Sequence, residues 1–256
     1  WNLIEGDPVA VANEELVEDG CEIIFNNSYG HEPAMLTVAA EYPDVQFVGM
    51  TNQGSRYDDL VKAIEADSMG RAGSVQPEID YVMAVRDTAC TLTDMANRGE
   101  LPLRVTHNDT KINNVLFDEK TNDALVVIDL DTVMPGLMGH DFGDAIRFAA
   151  NTQMEDSPEY DKVSVDLAAF TAFAQGFLEK TASCMTMNEL ETLALSSFCL
   201  TAELAVRWLE DYLRGDLYFK PRYPEHNLVR ARTQFRLVKE MEEQFEKMHE
   251  ILKKYC

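Results

Sequence analysis

The spacing of apolar residues along the chain changes character after about residue 50. Before that point, apolar runs at 21–25 and 45–50 have the length and composition of β-strands. Between them, residues 31–42 carry apolar side chains at roughly helical spacing. A strand, a helix and a second strand form a βαβ unit, so we predict that the two strands are parallel.

A polar break, TNQGSR at 51–56, separates this segment from the rest of the chain. Two strands alone make a poor sheet, so the βαβ segment needs partners from elsewhere. We therefore predict two domains, a short βαβ segment at 1–53 and a larger domain at 54–256.

Helical patterns dominate the second part. Amphipathic helices are predicted over 57–67 and 77–99, and Gly99 is a natural stop for the second of them. From about Gly139 onward the chain is predicted to be helical, with the last helix running from about 227 to 255.

Short strand-like pieces at 103–107, 114–118 and 124–131 interrupt the helical pattern. The polar turn EKTND at 119–123 joins the last two, which predicts a small β-hairpin. The fold class that follows is α+β and mostly helical, with a small hairpin embedded in helices and a short βαβ segment in front.

The composition is that of a globular protein, with 46% hydrophobic and 26% charged residues in a chain of 256. The formal net charge of −23 repels phosphate backbones, which argues against a nucleic-acid partner. No apolar run approaches the length of a membrane span, so we expect no membrane partner.

The five cysteines point to a reducing compartment. No two of them have metal-ligand spacing, and their odd number argues against a disulfide framework. The first residues contain neither a charged region followed by an apolar run nor another export signal. We therefore expect a cytoplasmic protein.

The candidate chemistry lies in RVTHNDTKINNVLFD at 104–118, where His107, Asp109 and Asn114 form the pattern H-x-D-x-x-x-x-N. Phosphoryl transfer needs a carboxylate to accept the proton of the acceptor hydroxyl, and oxygen ligands to hold Mg²⁺ on the phosphates. Asp109 and Asn114 have the types and spacing for these two tasks. The strand after the turn returns antiparallel and brings Asp129 back as a second Mg²⁺ ligand.

The letters DFG occur at 141–143, and a pattern search would assign the metal to Asp141. We instead assign it to Asp129, which ends an apolar strand that can pair with the strand after Asn114. Asp141 is predicted to start a helix, as a cap or as an anchor for the loop that carries His107. Taken singly, each of these residues is more often a turn former or a packed polar residue, and it is their order that indicates function.

These motifs resemble the aminoglycoside phosphotransferase and choline kinase superfamily, and more closely the N-acetylhexosamine 1-kinases. The resemblance rests on the stretch just described and on VVIDLDTVMPGLMGHDFGDAIRFAANT at 126–152. It extends over about 57–250 through shorter matching pieces at 67–82, 100–104, 207–220 and 226–235.

The resemblance implies the carboxy-terminal lobe of a protein-kinase-like fold and an ATP-dependent sugar kinase that needs Mg²⁺. Asp109 would be the catalytic base and would contact the sugar hydroxyl, while Asn114 and Asp129 would hold the metal. Arg207 and Tyr218 match positions that contact the sugar. The alternative for Arg207 is an ion-pairing role on an amphipathic helix.

Kinases of this superfamily also have an amino-terminal lobe, with a nucleotide-covering loop and a strand lysine. The sequence before residue 104 contains neither a G-x-G-x-x-G nor a G-x-x-x-x-G-K pattern. Its one lysine, Lys62, falls on the polar face of a predicted helix. We can assign no cofactor-binding residues for ATP, and we expect impaired transfer by this chain alone.

Residues 18–47 resemble a different family, the basic membrane protein family of solute-binding lipoproteins. The similarity covers only about fifty residues, so no ligand residues follow from it. This segment leaves two alternatives to a sugar kinase, a solute- or nucleoside-binding module and a non-catalytic chimeric fragment. A third alternative is a pseudokinase that serves as an interaction protein.

Overall fold

The computed structural model divides the chain into two compact units, residues 1–52 and 53–256. The residues that it describes are 7–21, 23–26, 37–39, 41–42, 44–49 and 53–255. Cys256 and residues 31–36 of the first predicted helix lie outside them. That the two units correspond to a solute-binding-like fragment and a kinase-like lobe stays a prediction.

The first unit contains helix α1 (Asp7–Glu18) and strands β1 (Ile23–Asn26) and β2 (Gln46–Gly49). The two strands pair in parallel, with Ile23 opposite Gln46, which confirms the predicted parallel pairing. Helical conformation is described at 37–39 and at 41, inside the predicted helix. Helix α1 was not predicted.

The second unit is mainly helical and confirms the mostly helical α+β class. Its helices are α2 (Gln53–Ala66), α3 (Gln76–Ala84), α4 (Arg86–Ala89), α5 (Thr91–Asn97), α6 (Met138–Ala149), α7 (Leu167–Thr181), α8 (Met187–Arg214) and α9 (His226–Leu252). Its strands are β3 (Arg104–Thr106), β4 (Val115–Phe117), β5 (Ala124–Val127) and β6 (Met134–Gly136). Short 3-10 turns occupy Ala72–Val75, Ile112–Asn114, Leu130–Thr132, Tyr160–Lys162 and Ala182–Cys184.

Two predicted helices differ from the observed ones. Helix α2 begins at Gln53 rather than at residue 57, because the polar residues of the predicted break form its first turn. The single helix predicted over 77–99 is three helices, interrupted at Val85 and Cys90, whose ψ angles are near zero. These bends keep both residues in the core.

Helix α8 is the centre of the second unit and packs against α2, α6 and α9. It is long and apolar enough to cross a membrane, but 67% of its most apolar window is buried inside the structure, as expected of a core helix. It begins with a capping box between Thr186 and Glu189 and ends at Gly215, whose φ is 100°.

The beginning of α8 also holds strand β3. Arg104 donates to both carboxylate oxygens of Glu189, at 3.0 and 2.8 Å. Burial raises the pKa of Glu189, but hydrogen bonds from Arg104 and Thr186 outweigh it, so that the pKa lies below its ordinary value. The strand that leads into the candidate catalytic loop is therefore fastened to the core helix.

The strands of the second unit form two antiparallel pairs. Strands β4 and β5 form the predicted hairpin, with Val115 opposite Val127. Strand β3 pairs with β6, a strand that was not predicted, with Arg104 opposite Gly136. The sequence Met-Pro-Gly of β6 has little strand character, and Pro135 has no amide hydrogen to donate.

Helix α6 lies unusually close to α8. A Cβ atom added at Gly143 would lie 2.4 Å from the carbonyl oxygen of Ser196, which is too close for any side chain. Because backbone rather than a flexible side chain is in the way, only glycine allows this approach. The approach fixes the position of the first turns of α6.

His140, in the first turn of α6, makes the stability of the fold depend on pH. Burial lowers the pKa of His140 from 6.5 to about 4. Below pH 6.5 the unfolded chain therefore gains a proton that the folded chain does not, and the free energy of unfolding falls as the pH is lowered towards 4. From pH 7 to pH 5 we expect this group to remove about 2 kcal/mol.

The measurement is urea unfolding at both pH values for the wild-type chain and for His140→Leu. The variant should lose about 2 kcal/mol less than the wild type over this interval. The partly exposed His249 provides a matched control through His249→Leu. Equal losses for the wild type and His140→Leu would contradict the prediction.

Candidate active site

The candidate catalytic loop connects β3 to β4. It runs from His107 through the 3-10 turn Ile112–Asn114, and β5 then returns alongside β4. The pairing continues beyond the strands, because the amide of Ile128 donates to the carbonyl oxygen of Asn114 at 2.9 Å. Asp129 is the next residue, so the hairpin brings it back beside the loop.

Asp109 is held by two neighbours in the same loop. Its Oδ2 accepts a hydrogen bond from Lys111 Nζ at 2.5 Å and another from Asn114 Nδ2 at 2.8 Å. Asn114 Nδ2 also donates to the backbone oxygen of Asp109 at 2.8 Å. No described residue donates to Oδ1, and the side chain is 27% exposed. One oxygen is thus held by the loop and the other is available.

Asn114 and Asp129 provide oxygen atoms of the kind that Mg²⁺ prefers. Asn114 is only 5% exposed, and its side-chain oxygen accepts no hydrogen bond from the described residues. Asp129 is exposed and has the left-handed angles φ 65° and ψ 53°. Such angles are uncommon outside glycine and mark a position that the surrounding structure imposes.

The donor set fits a metal ion that is held mainly by water and phosphate. In the part of the chain that the structure describes, no three His, Cys, Asp or Glu side chains form a cluster able to enclose a metal. Mg²⁺ in phosphoryl-transfer sites keeps several waters and takes one or two carboxylates from the protein. Asn114 and Asp129 meet this requirement.

Asp141 faces the backbone of the loop. Its carboxylate accepts hydrogen bonds from the amides of His107 and Asn108, each at 2.8 Å. Its carbonyl oxygen accepts a third from Thr110 Oγ1 at 2.6 Å. Burial raises the pKa of Asp141, and the two amide hydrogen bonds oppose that shift. All of these contacts are made to the loop, and its carboxylate oxygens are both in use.

His107 joins the loop to the chain after β5. Its Nε2 lies 3.0 Å from the carbonyl oxygen of Ile128, and its own carbonyl accepts a hydrogen bond from Thr132 Oγ1 at 2.7 Å. Asn108 Nδ2 donates to the carbonyl oxygen of Thr132 at 3.0 Å. The loop is therefore fastened on both sides.

Lys111 is a site residue that the sequence analysis missed. Its backbone is extended, with φ −55° and ψ 144°. The signal available in the sequence was a lysine two residues after the candidate base, at Asp109-x-Lys111. A lysine takes neither the carboxylate nor the amide role predicted for this loop, so its ion pair with Asp109 was not predicted.

Arg207 and Tyr218 lie together at the end of α8. The guanidinium carbon of Arg207 is 6.0 Å from the ring centre of Tyr218 and 5.5 Å from that of Phe219. Asp211 positions the two aromatic residues by accepting hydrogen bonds from their amides, at 2.8 and 2.9 Å. Arg207 also lies 3.8 Å from Glu203, which is the ion pair that the alternative interpretation expects.

In the described part of the chain, Arg207 and Tyr218 form no hydrogen bond or ion pair with the candidate catalytic loop. They form none with Asp129 either in that part of the chain. Tyr218 is 74% exposed, so its ring is accessible to a ligand. The structure thus brings together the loop residues in one group and the two expected sugar contacts in another.

The chain matches the model of a known protein family. The model of the phosphotransferase enzyme family, APH, matches residues 39–174, just over half of the chain. The matched region includes the candidate catalytic loop, the hairpin that returns Asp129, and Asp141 on α6. It ends before Arg207 and Tyr218.

Proposed function

The chain belongs to the phosphotransferase enzyme family, and on this basis we propose that residues 54–256 are a kinase-like catalytic lobe that transfers the γ-phosphoryl group of ATP to an alcohol. The observation that carries the proposal is the arrangement of Asp109, Asn114 and Asp129. Asp109 is hydrogen-bonded to Asn114, and the hairpin brings Asp129 beside them. These are the groups that phosphoryl transfer requires.

In the proposed reaction, Asp109 Oδ1 accepts the proton of the acceptor hydroxyl. The acceptor oxygen forms a bond to the γ-phosphorus while the bond from that phosphorus to the bridging oxygen breaks, and ADP leaves with the electron pair. Lys111 and Asn114 hold Oδ2, so the free oxygen keeps a fixed direction. Asn114 and Asp129 would hold Mg²⁺, which supplies charge neutralisation on the phosphates when bound.

The proposed acceptor is the anomeric hydroxyl of an N-acetylhexosamine, the class that the sequence resemblance names. The pairing of Arg207 with the exposed ring of Tyr218 supports this assignment, because sugars bind to aromatic rings bordered by hydrogen-bond donors. The four described cysteines are free thiols, which supports the further proposal of a cytoplasmic location.

We also propose that transfer by this chain alone is slow. Its sequence supplies no glycine-rich nucleotide loop and no strand lysine before residue 104. Positioning of reactants is worth about 7–11 kcal/mol in well-organised reactions, and part of that contribution comes from groups that grip the nucleotide. The acceptor side and the metal side of the reaction are the parts that this chain provides.

The test is ³¹P NMR of the folded chain with ATP, Mg²⁺ and either N-acetylglucosamine or N-acetylgalactosamine. We expect an anomeric sugar phosphate to accumulate slowly, and only when Mg²⁺ is present. A turnover above about 1 s⁻¹, an ordinary enzyme rate, would contradict the proposed impairment. No phosphate ester with these sugars or with a panel of other alcohols would contradict the proposed activity.

A further inference from the structure

A groove of about 450 Å³ lies between α3 and α9 in the second unit. The two helices form its sides, and the 3-10 turn Tyr160–Lys162 contributes Tyr160 to its lining. The described lining residues include none from the candidate catalytic loop, and neither Asp129, Arg207 nor Tyr218 is among them. We call this space the α3–α9 groove, and it is separate from the proposed active site.

The lining of the α3–α9 groove is rich in positive charge. Arg232, Arg236 and Lys239 come from α9, where spacings of four and three residues place them on one face of the helix. Glu78 is the one acidic residue among the described residues of the lining. The whole chain has the opposite balance, with 45 acidic and 22 basic residues. The groove is therefore a place where a negatively charged ligand is attracted to a protein that otherwise repels it.

Two of the three cations already have carboxylate partners. Arg232 Nε donates to Glu78 Oε1 at 2.6 Å, and Arg236 forms an ion pair with Glu240. Glu240 is 8% exposed and also accepts a hydrogen bond from Ser164 Oγ at 2.8 Å. The two guanidinium groups are thus held in place, and their charges are largely neutralised within the protein.

Lys239 is the third cation, and its partner is an aromatic ring. Its ammonium nitrogen lies 4.5 Å from the centre of the Tyr81 ring. Within the described ranges, no carboxylate forms an ion pair with Lys239. Glu242, three residues further along α9, instead accepts a hydrogen bond from the Tyr81 hydroxyl at 3.1 Å. The groove therefore contains one positive charge that is available to a bound anion.

Aromatic rings form the apolar part of the groove. Tyr81 and Phe235 meet edge to face, with ring centres 5.9 Å apart and ring planes at 86°. Phe235 is 6% exposed and so lies at the base of the groove. Burial raises the pKa of Tyr160, an effect that the charge of Arg232 opposes without cancelling. The Tyr160 hydroxyl therefore stays protonated at neutral pH and can donate to an anion.

We propose that the α3–α9 groove binds a small aromatic carboxylate that carries a single negative charge. The carboxylate pairs with Lys239, and the aromatic ring of the ligand lies against Phe235. The volume is in the range of sites that enclose small ligands. A phosphate ester with two negative charges fits less well, because Glu78 and Glu240 already neutralise the two arginines. The proposal concerns binding alone and does not depend on the proposed phosphoryl transfer.

The test is isothermal titration calorimetry of the full chain with 2-naphthoate as the probe, at neutral pH and without ATP. We expect a dissociation constant below about 1 mM. Two matched probes keep the ring system and change the charge: 2-naphthamide is neutral, and 2-naphthyl phosphate is close to doubly charged at this pH. Each should bind about tenfold more weakly than the carboxylate.

The variant Lys239→Gln should weaken the binding of 2-naphthoate about tenfold and hardly change that of 2-naphthamide, because only the carboxylate uses the charge. Lys239 is exposed, so the variant should fold, and an unchanged Tm checks this. Lys247→Gln removes another exposed lysine of α9, one that does not line the groove. It is the matched control and should bind 2-naphthoate as the wild type does.

Three results would overturn the proposal. The first is no binding of 2-naphthoate up to about 1 mM. The second is equal affinity for 2-naphthoate and 2-naphthamide, or equal losses in the two lysine variants, which would show that the charge of Lys239 is not used. The third is tighter binding of the phosphate than of the carboxylate. None of them bears on the ³¹P experiment, which judges the transfer activity separately.

Discussion

Replacing Asp109 by asparagine is expected to lower phosphoryl transfer by about 10²–10⁴-fold, the usual contribution of a general base. The amide cannot accept the proton of the acceptor hydroxyl. We expect the free energy of unfolding to change little, because the ion pair with Lys111 is partly exposed and such pairs contribute about 0–1 kcal/mol. The measurements are the ³¹P rate and the free energy of unfolding in urea.

Asp123→Asn provides the matched control for Asp109→Asn. Asp123 is an exposed aspartate in the turn of the same hairpin, and we expect both its rate and its stability to equal those of the wild type. A loss of several kcal/mol in the Asp109 variant would assign that carboxylate a structural role and would favour the pseudokinase interpretation.

The same chemical change at Asp141 should have a different result. An asparagine oxygen can accept from one of the two amides of His107 and Asn108, but its NH₂ group would then face the other donor. We expect the free energy of unfolding to fall by about 2 kcal/mol, the cost of one unsatisfied buried group. Transfer should also fall, because the loop that carries Asp109 loses an anchor.

A titration with Mg²⁺ separates the two possible roles of Asp141. If Asp129 holds the metal, Asp129→Asn should raise the Mg²⁺ concentration needed for half-maximal rate, and Asp141→Asn should leave it unchanged. An Asp141 variant with wild-type stability and a raised Mg²⁺ requirement would show that the literal DFG letters mark the metal ligand after all.

Much of the loop could be predicted from sequence because its geometry is local. Asp109 and Asn114 are five residues apart in one loop, and a single hairpin determines where Asp129 returns. The contact of Asp141 with the loop spans more than thirty residues and depends on how α6 packs. The sequence predicted that Asp141 starts a helix and caps it or anchors the loop. The hydrogen bonds to the loop amides follow only from the folded structure.

Other features could not be predicted because they depend on tertiary contacts. Strand β6 exists only because β3 is there to pair with it, since its own residues favour no strand. The bends at Val85 and Cys90 follow the shape of the core rather than a break in the apolar pattern. The pairing of Arg207 with Tyr218 depends on the buried Asp211, which a sequence pattern does not connect to a loop.

The close approach of α6 to α8 has a consequence for the motions of the loop. Gly143 locks α6 against the core, and Asp141, two residues earlier, holds the amides of His107 and Asn108. Their hydrogens can exchange with solvent only when that packing opens, so they should exchange on the slow timescale of the core helices although they belong to a loop. Substitutions deep in the α6–α8 contact should therefore speed exchange at these two amides before any of the loop's own residues is changed.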